Sequence, residues 1–256
     1  MKAMLIFFVL IFKMTLGMAE SPLVVGMELS YPPFEMMSPA GKPSGISVEI
    51  AEALGKYLHR EILLKNIPYV GLIPSLNNGK IDLIISSMTI TGQRSKAIDF
   101  SKPYLTTGLS LLVSKKSDLS GIEDANKRER VIAVKSGTSG EVYAVKHLTN
   151  ATVLVLDKEA SCVLEVVQGK ADAFIYDQLS VYTNWQKNQE TTRAILTPFQ
   201  KEQWGIGVKK GNTSLLDEVN SFIDAYRKEN GFEKLGDKYL APQKEAFKKM
   251  DVPFVF

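Results

Sequence analysis

Cysteine is almost missing. The 256 residues contain one, Cys162, and a single thiol closes neither an internal disulfide nor a structural zinc cluster. Histidine is nearly as scarce, with His59 and His147 far apart, so no metal-spaced pair exists. An excess of one charge is lacking too. The 31 Lys+Arg and 28 Asp+Glu leave +3, and no run of five basic residues occurs, which gives no electrostatic case for a nucleic-acid partner. There is no G-x-x-x-x-G-K-[ST] phosphate loop. Gly137-Thr138-Ser139-Gly140 is not a nucleophile elbow, because Glu141 stands where the second glycine must be. After the first few residues no apolar stretch approaches membrane-spanning length. What is present is ordinary globular composition: 45% hydrophobic, 23% charged and 9% aromatic, with enough chain for one large or two modest domains.

The N-terminus reads as an address. Lys2 precedes the apolar run Met4 to Phe12, interrupted at Lys13, and Gly17-Met18-Ala19 offers small residues where a signal peptidase reads. This pattern predicts a secretory signal over residues 1–19, cleaved after Ala19. An apolar run this short, at ~1.5 Å per residue, cannot cross a ~30 Å hydrocarbon core. No cysteine adjoins the cleavage site, so a lipid anchor is not expected. Cys162, within Ala160-Ser161-Cys162-Val163-Leu164, reads as a buried small hydrophobe.

Strand and helix patterns alternate along the rest. Leu23 to Met27, Ile81 to Ile85, Leu109 to Val113, Val131 to Val134, Ala171 to Tyr176 and Trp204 to Val208 read as strands. Helical spacing marks Ser47 to His59, Leu72 to Asn78, Thr91 to Ile98, Asp157 to Gln168, Thr213 to Glu229 and Phe232 to Tyr239. Thr138 with Glu141 is a capping-box pattern, so another helix starts there. The tail after Pro242 is basic with an apolar tip. The alternation occurs once before about residue 105 and again after about 130, which predicts an α/β fold of two units. Polar loops leave strand ends at Tyr31, Ser86, Ser136 and Asp177. Ligands of open α/β sheets bind at such carboxyl ends, so a cleft between two lobes is expected.

Six short motifs fall in register with one family. They are Tyr31-Pro32-Pro33-Phe34-Glu35, Gly71-Leu72-Ile73-Pro74-Ser75-Leu76, Gly79-Lys80-Ile81-Asp82, Ile90-Thr91-Gly92-Gln93-Arg94, Ile98-Asp99-Phe100-Ser101 and Gly169-Lys170-Ala171-Asp172-Ala173. The chain resembles the polar amino-acid-binding proteins of ABC importers, whose members include glutamine, histidine, lysine-arginine-ornithine and arginine binders. The resemblance implies a two-lobed periplasmic-binding-protein fold of type II, with two mixed sheets joined by two hinge strands. It places lobe one at 20–106 plus 206–256 and lobe two at 107–205. It implies a periplasmic monomer that takes a free L-amino acid, serves ABC permease subunits, and needs neither cofactor nor metal.

The same resemblance assigns site residues. Arg94 takes the place of the family's carboxylate-binding arginine, which grips bidentately as lysine cannot. Thr89 matches a hydroxyl that touches both charged ends of the ligand. Ser87 matches a backbone carbonyl that accepts from the ammonium, with Ser86 its neighbour. Ser139 matches a backbone donor to the carboxylate at a helix start, where amides and helix dipole favour an anion, and Gly137 lets the chain approach closely. Asp177 matches the ammonium-binding aspartate and doubles as a helix N-cap. Tyr31 and Tyr69 match the rings that sandwich the ligand's side chain. Glu28 stands where many relatives carry an aspartate facing its far end, Lys135 matches a lysine of glutamine-type binders, and Tyr176 adjoins Asp177. Glu28 with two aromatic faces favours a basic ligand of the Arg or Lys type; if Glu28 and Lys135 pair, glutamine fits better. Two other readings stand beside this one: a cyclohexadienyl or arogenate dehydratase-like enzyme on the same fold, and a sensor module acting through a separate partner.

Overall fold

The computed structural model describes residues 21–254. The leader expected over residues 1–19 lies outside them, as do the last two residues of the apolar tip Val252-Pro253-Phe254-Val255-Phe256.

Along the first half run β1 (Leu23–Met27), β2 (Ser30–Tyr31), β3 (Glu35–Met37), β4 (Pro43–Ser44), α1 (Ile46–Leu58), β5 (Ile62–Asn66), α2 (Leu72–Asn77), β6 (Leu83–Ile84), α3 (Arg94–Ala97) and β7 (Ile98–Phe100). There follow β8 (Leu105–Ser114), β9 (Val131–Lys135), α4 (Ser139–His147), β10 (Thr152–Leu156), α5 (Glu159–Val167), β11 (Ala173–Asp177), α6 (Gln178–Lys187) and β12 (Thr192–Trp204). The chain then returns through β13 (Gly207–Lys209), α7 (Thr213–Lys228) and α8 (Gly231–Lys249).

Two five-stranded sheets result, ordered β5-β1-β6-β13-β7 and β10-β9-β11-β8-β12. In each, the first three strands are parallel and the next two are each antiparallel to their neighbour. The molecule is thus α/β with mixed sheets in two lobes, the type II arrangement. The crossing between lobes is made by β8 and β12, which pair antiparallel from Leu105↔Trp204 to Ser114↔Thr192 around a register shift between Ile195 and Gln200.

Side chains alternate across each strand, so each sheet feeds two cores. In the second lobe Leu111, Val113, Ile132, Val134 and Ile175 pack on one side with Ala144 of α4. Leu112, Ala133 and Phe174 pack on the other with Cys162 and Val166 of α5. Cys162 is fully buried, and burial pushes its thiol up to about 12, which makes it an inert apolar group. In the first lobe Ile50, Ala51 and Leu54 of α1 and Val219 and Phe222 of α7 cover Leu23, Val25 and Met27.

Sequence and structure differ in places. The strand expected over Ile81–Ile85 is confined to Leu83–Ile84. Thr91 Oγ1 accepts from the Arg94 amide at 3.2 Å, yet the helix it heads lasts only through Ala97. The late strand expected from Trp204 is two strands, broken at Gly205-Ile206. Helix α8 runs through Pro242 to Lys249, so the basic tail is mostly helical. Its end reaches the second lobe: Phe247 packs edge-on against Tyr182 of α6 and against Phe254, and Val252 joins the Phe174 cluster.

Candidate functional site

The loops after β1, β6 and β9 and the C-terminal end of β11 converge on one small, partly open cavity of about 40 Å³ between the lobes. The first lobe contributes Glu28, Tyr31, Tyr69, Ser86, Ser87 and Thr89; the second contributes Ser139, Tyr176 and Asp177. Arg94 and Lys135 do not line it. They stand in adjoining clefts at its edges.

Asp177 ends β11 and caps α6. Its Oδ1 accepts from the amides of Leu179 and Ser180 at 3.1 and 3.0 Å. Those bonds fix the carboxyl's direction. The group is buried, and burial raises its pKa to about 7, against the opposing pull of the Tyr31 hydroxyl. Tyr31 belongs to an aromatic cluster: it stacks on Phe34 at 5.3 Å and meets Tyr176 and Trp204 edge-on. Burial likewise drives the Tyr176 hydroxyl well above its usual range.

On the opposite wall Ser87 adopts the left-handed backbone, φ +48°, a strained conformation for a residue with a Cβ. Its Oγ donates to Glu35 Oε2 at 3.0 Å, beside Ser47 Oγ at 2.6 Å, while Ser86 Oγ donates to Oε1 at 3.3 Å and accepts from the Glu28 amide at 3.0 Å. Burial outweighs these three hydroxyls and lifts the Glu35 carboxyl to about 8. Thr89 Oγ1 and Ser139 Oγ, from opposite lobes, both donate to Glu202 Oε2 at 3.0 and 2.9 Å.

Arg94 spans the seam. One guanidinium nitrogen donates to the Thr89 carbonyl at 2.6 Å and the other to the Gly137 carbonyl at 2.8 Å, and the group lies 5.5 Å from the Tyr69 ring centre. Gly137 is left-handed, φ +75°, and a Cβ there would come within 2.7 Å of Val70 Cγ1, so the lobes touch at a point only glycine allows. The capping box holds in altered form. Thr138 Oγ1 accepts from the Glu141 amide at 3.4 Å, and Glu141 Oε2 accepts from the amide of Gly137, one residue ahead of the cap, at 2.6 Å. Lys135 Nζ forms a short ion pair with Glu28 Oε2 and lies 5.5 Å from the Tyr69 ring centre, while Glu28 Oε1 accepts from the Tyr69 amide at 3.3 Å.

The cavity wall also holds residues given no site role from sequence: Glu35, Leu109, Thr138, Gly140, Glu202 and Trp204. Glu35 closes the Tyr31–Glu35 motif, which could have flagged it. Glu202 lies in a stretch with no local signal. Among the described residues, no group of three or more His, Cys, Asp or Glu could hold a metal ion, and no helix is long and apolar enough to cross a membrane.

Comparisons with known proteins place the chain that carries this cavity in a family. The family description of bacterial extracellular solute-binding proteins, family 3, fits residues 23–242. The L-cystine-binding protein TcyJ of Escherichia coli (strain K12) is 31% identical over 219 residues, 85% of this chain and 82% of its own. The ABC transporter glutamine-binding protein GlnH of Bacillus subtilis (strain 168) is 31% identical over 224 residues, 85% of this chain and 81% of its own. The solved structure of an ancestral arginine-binding protein bound to arginine superposes with a TM-score of 0.80 at 30% identity, covering 86% of this chain and 99% of that one. This chain therefore belongs to the extracellular solute-binding proteins of family 3, the amino-acid-binding components of ABC importers.

Proposed function

We propose that the chain captures glutamine or a closely similar polar amino acid in the periplasm, as a monomer, and presents it closed to its permease. In this reading lobe one is 20–106 with 206–256, lobe two is 107–205, and the chain hinges where β8 and β12 cross. Asp177, the Ser87 carbonyl and Thr89 hold the ammonium; Arg94 and the Ser139 amide answer the carboxylate; Tyr31, Tyr69 and Tyr176 flank the side chain. Taking either charge of a free amino acid out of water costs several kcal/mol unless it is paired, and a buried carboxyl on the cavity wall with a guanidinium at its edge supplies both partners. The role is binding and release, with no bond made or broken.

One observation carries the ligand preference: Glu28, on the cavity wall, is already paired with Lys135. A guanidinium or ammonium at the ligand's far end would meet a carboxylate whose charge is spent, with a like charge beside it. A carboxamide has an N–H for Glu28 and no charge for Lys135 to repel. The pair therefore turns the balance from the basic ligand that Glu28 alone favours toward glutamine. Relatives and neighbours named for cystine, glutamine and arginine fit the broader class.

A thermal-shift screen of the twenty amino acids with ornithine and cystine tests this, since a ligand that binds only the folded state raises Tm, by about 2.7 kcal/mol of added stability at a hundred times Kd. L-Glutamine is expected to give the largest rise. A larger rise with arginine, lysine or cystine overturns the ligand choice, and no rise with any overturns the reading.

A further inference from the structure

We propose that Glu202 sets the hydrogen-bonding polarity of the site, turning Thr89 and Ser139 into acceptors reserved for the ligand's ammonium. The inference rests on the amino-acid-binding reading above. Glu202 sits near the end of β12, the strand that returns to the first lobe, and is buried. Its Oε1 accepts from Gln200 Nε2 at 3.0 Å, and its Oε2 accepts from Thr89 Oγ1 at 3.0 Å and Ser139 Oγ at 2.9 Å. A carboxylate has no proton to give, and a hydroxyl has one. Both hydroxyl protons are therefore spent on Glu202, and what Thr89 and Ser139 retain for the cavity they line is lone pairs.

Two consequences follow for recognition. The hydroxyls cannot donate to the ligand's carboxylate, which must draw on Arg94 and on first-turn amides of α4, amides that have no carbonyl a turn earlier to bond. They can only accept, so together with Asp177 they complete an acceptor set for an ammonium. Glu202 is a positioning residue: it acts on the ligand through two other side chains. Because Thr89 belongs to the first lobe and Ser139 to the second, one carboxylate oxygen holds both only when the lobes are together, so the acceptor set is assembled by closure.

The test is calorimetric titration of the full chain with L-glutamine and with L-arginine, using wild type, Glu202→Gln, the Thr89→Val/Ser139→Ala pair, and the triple variant. Glutamine at 202 keeps the shape but brings an N–H that turns one hydroxyl around. We expect Glu202→Gln to weaken binding about tenfold or more, in line with losing a hydrogen bond to a charged group. The same change should cost less than twofold when the two hydroxyls are already gone. Equal or tighter binding by Glu202→Gln overturns the proposal, and tighter binding would mark Glu202 as a competitor of the ligand's carboxylate. An undiminished loss in the hydroxyl-free background also overturns it, because that is what a purely structural role gives. Thr89→Val read alone keeps the question open to disproof if Glu202→Gln does not fold: it should weaken binding and Thr89→Ser should restore it, and unchanged binding overturns the proposal. Failure of wild type to bind either probe contradicts the site reading itself, an outcome distinct from wild-type binding that Glu202→Gln leaves unchanged.

Discussion

Asp177 carries the account at the scale of single residues. Burial raises its carboxyl from the usual carboxylate range to about 7. The folded state thus holds a proton that the unfolded chain has lost from about pH 4 upward, so this group lowers ligand-free stability as pH rises toward 7. A bound ammonium favours the ionised form and reverses the balance. Binding should release a proton below pH 7, and affinity should rise with pH until it levels above about 8, falling up to about tenfold per unit on the acid side. Titration calorimetry from pH 5.5 to 8.5 reads this directly. Asp177→Asn is expected to lose well over tenfold in affinity and to flatten that profile; near wild-type binding by the variant would remove Asp177 from the site. Lys135 makes a second prediction. Lys135→Met leaves Glu28 unpaired on the cavity wall, so preference should move toward arginine by about tenfold relative to glutamine, about 1.4 kcal/mol. Competition binding measures the ratio, and an unchanged ratio would show that the pair does not set selectivity. Strand-end loops pointed from sequence to the neighbourhood of the cavity, and the particular wall residues Glu28, Tyr31, Tyr69, Ser87, Thr89, Ser139, Tyr176 and Asp177 were named through the family resemblance, whose motifs are local. Glu202 was not legible, since its partner Thr89 is 113 residues away and no local pattern reports a contact of that kind.

Secondary-structure elements follow the same division. Helices α1, α5 and α7 were readable because apolar residues recur on one face; a left-handed glycine, Gly169 at φ +71°, follows α5, whereas left-handed His59 ends α1. Strand β12 was not readable. Pro198, Lys201 and Glu202 interrupt its alternation, and its register slips between Ile195 and Gln200, which is how a strand that must serve two lobes departs from period two. Helix α8 runs past the end expected at Tyr239 and through Pro242, because Leu240 and Phe247 on either side of that proline are buried and tertiary packing outweighs local propensity. The start of α4 offers a test at this scale. Thr138 Oγ1 accepts from Glu141 and also donates to the Lys135 carbonyl at 2.6 Å, so it fixes both the helix entry and the turn that carries Gly137 and Ser139. Thr138→Ala should cost about 1 kcal/mol of stability in a denaturant titration and also weaken amino-acid binding. A loss of stability with binding intact would separate the helix start from the site.

The whole molecule is one strand order used twice, with the cavity between the two copies. Repetition was visible in the sequence as two successions of strand and helix, whereas two joining strands were implied only by the family resemblance, and their antiparallel pairing came from the structure. The closed arrangement is held partly by the groups that would face the ligand: Arg94 bonds carbonyls from both lobes, Glu202 bonds hydroxyls from both, and Lys135 reaches across to Glu28. The most direct measurement is a crystal structure grown with L-glutamine. The account predicts one amino acid enclosed between the lobes, its ammonium within about 3 Å of Asp177, its carboxylate on the Arg94 side and its side chain between Tyr31 and Tyr69. A ligand bound with its charges reversed, or held away from the cleft, would contradict it.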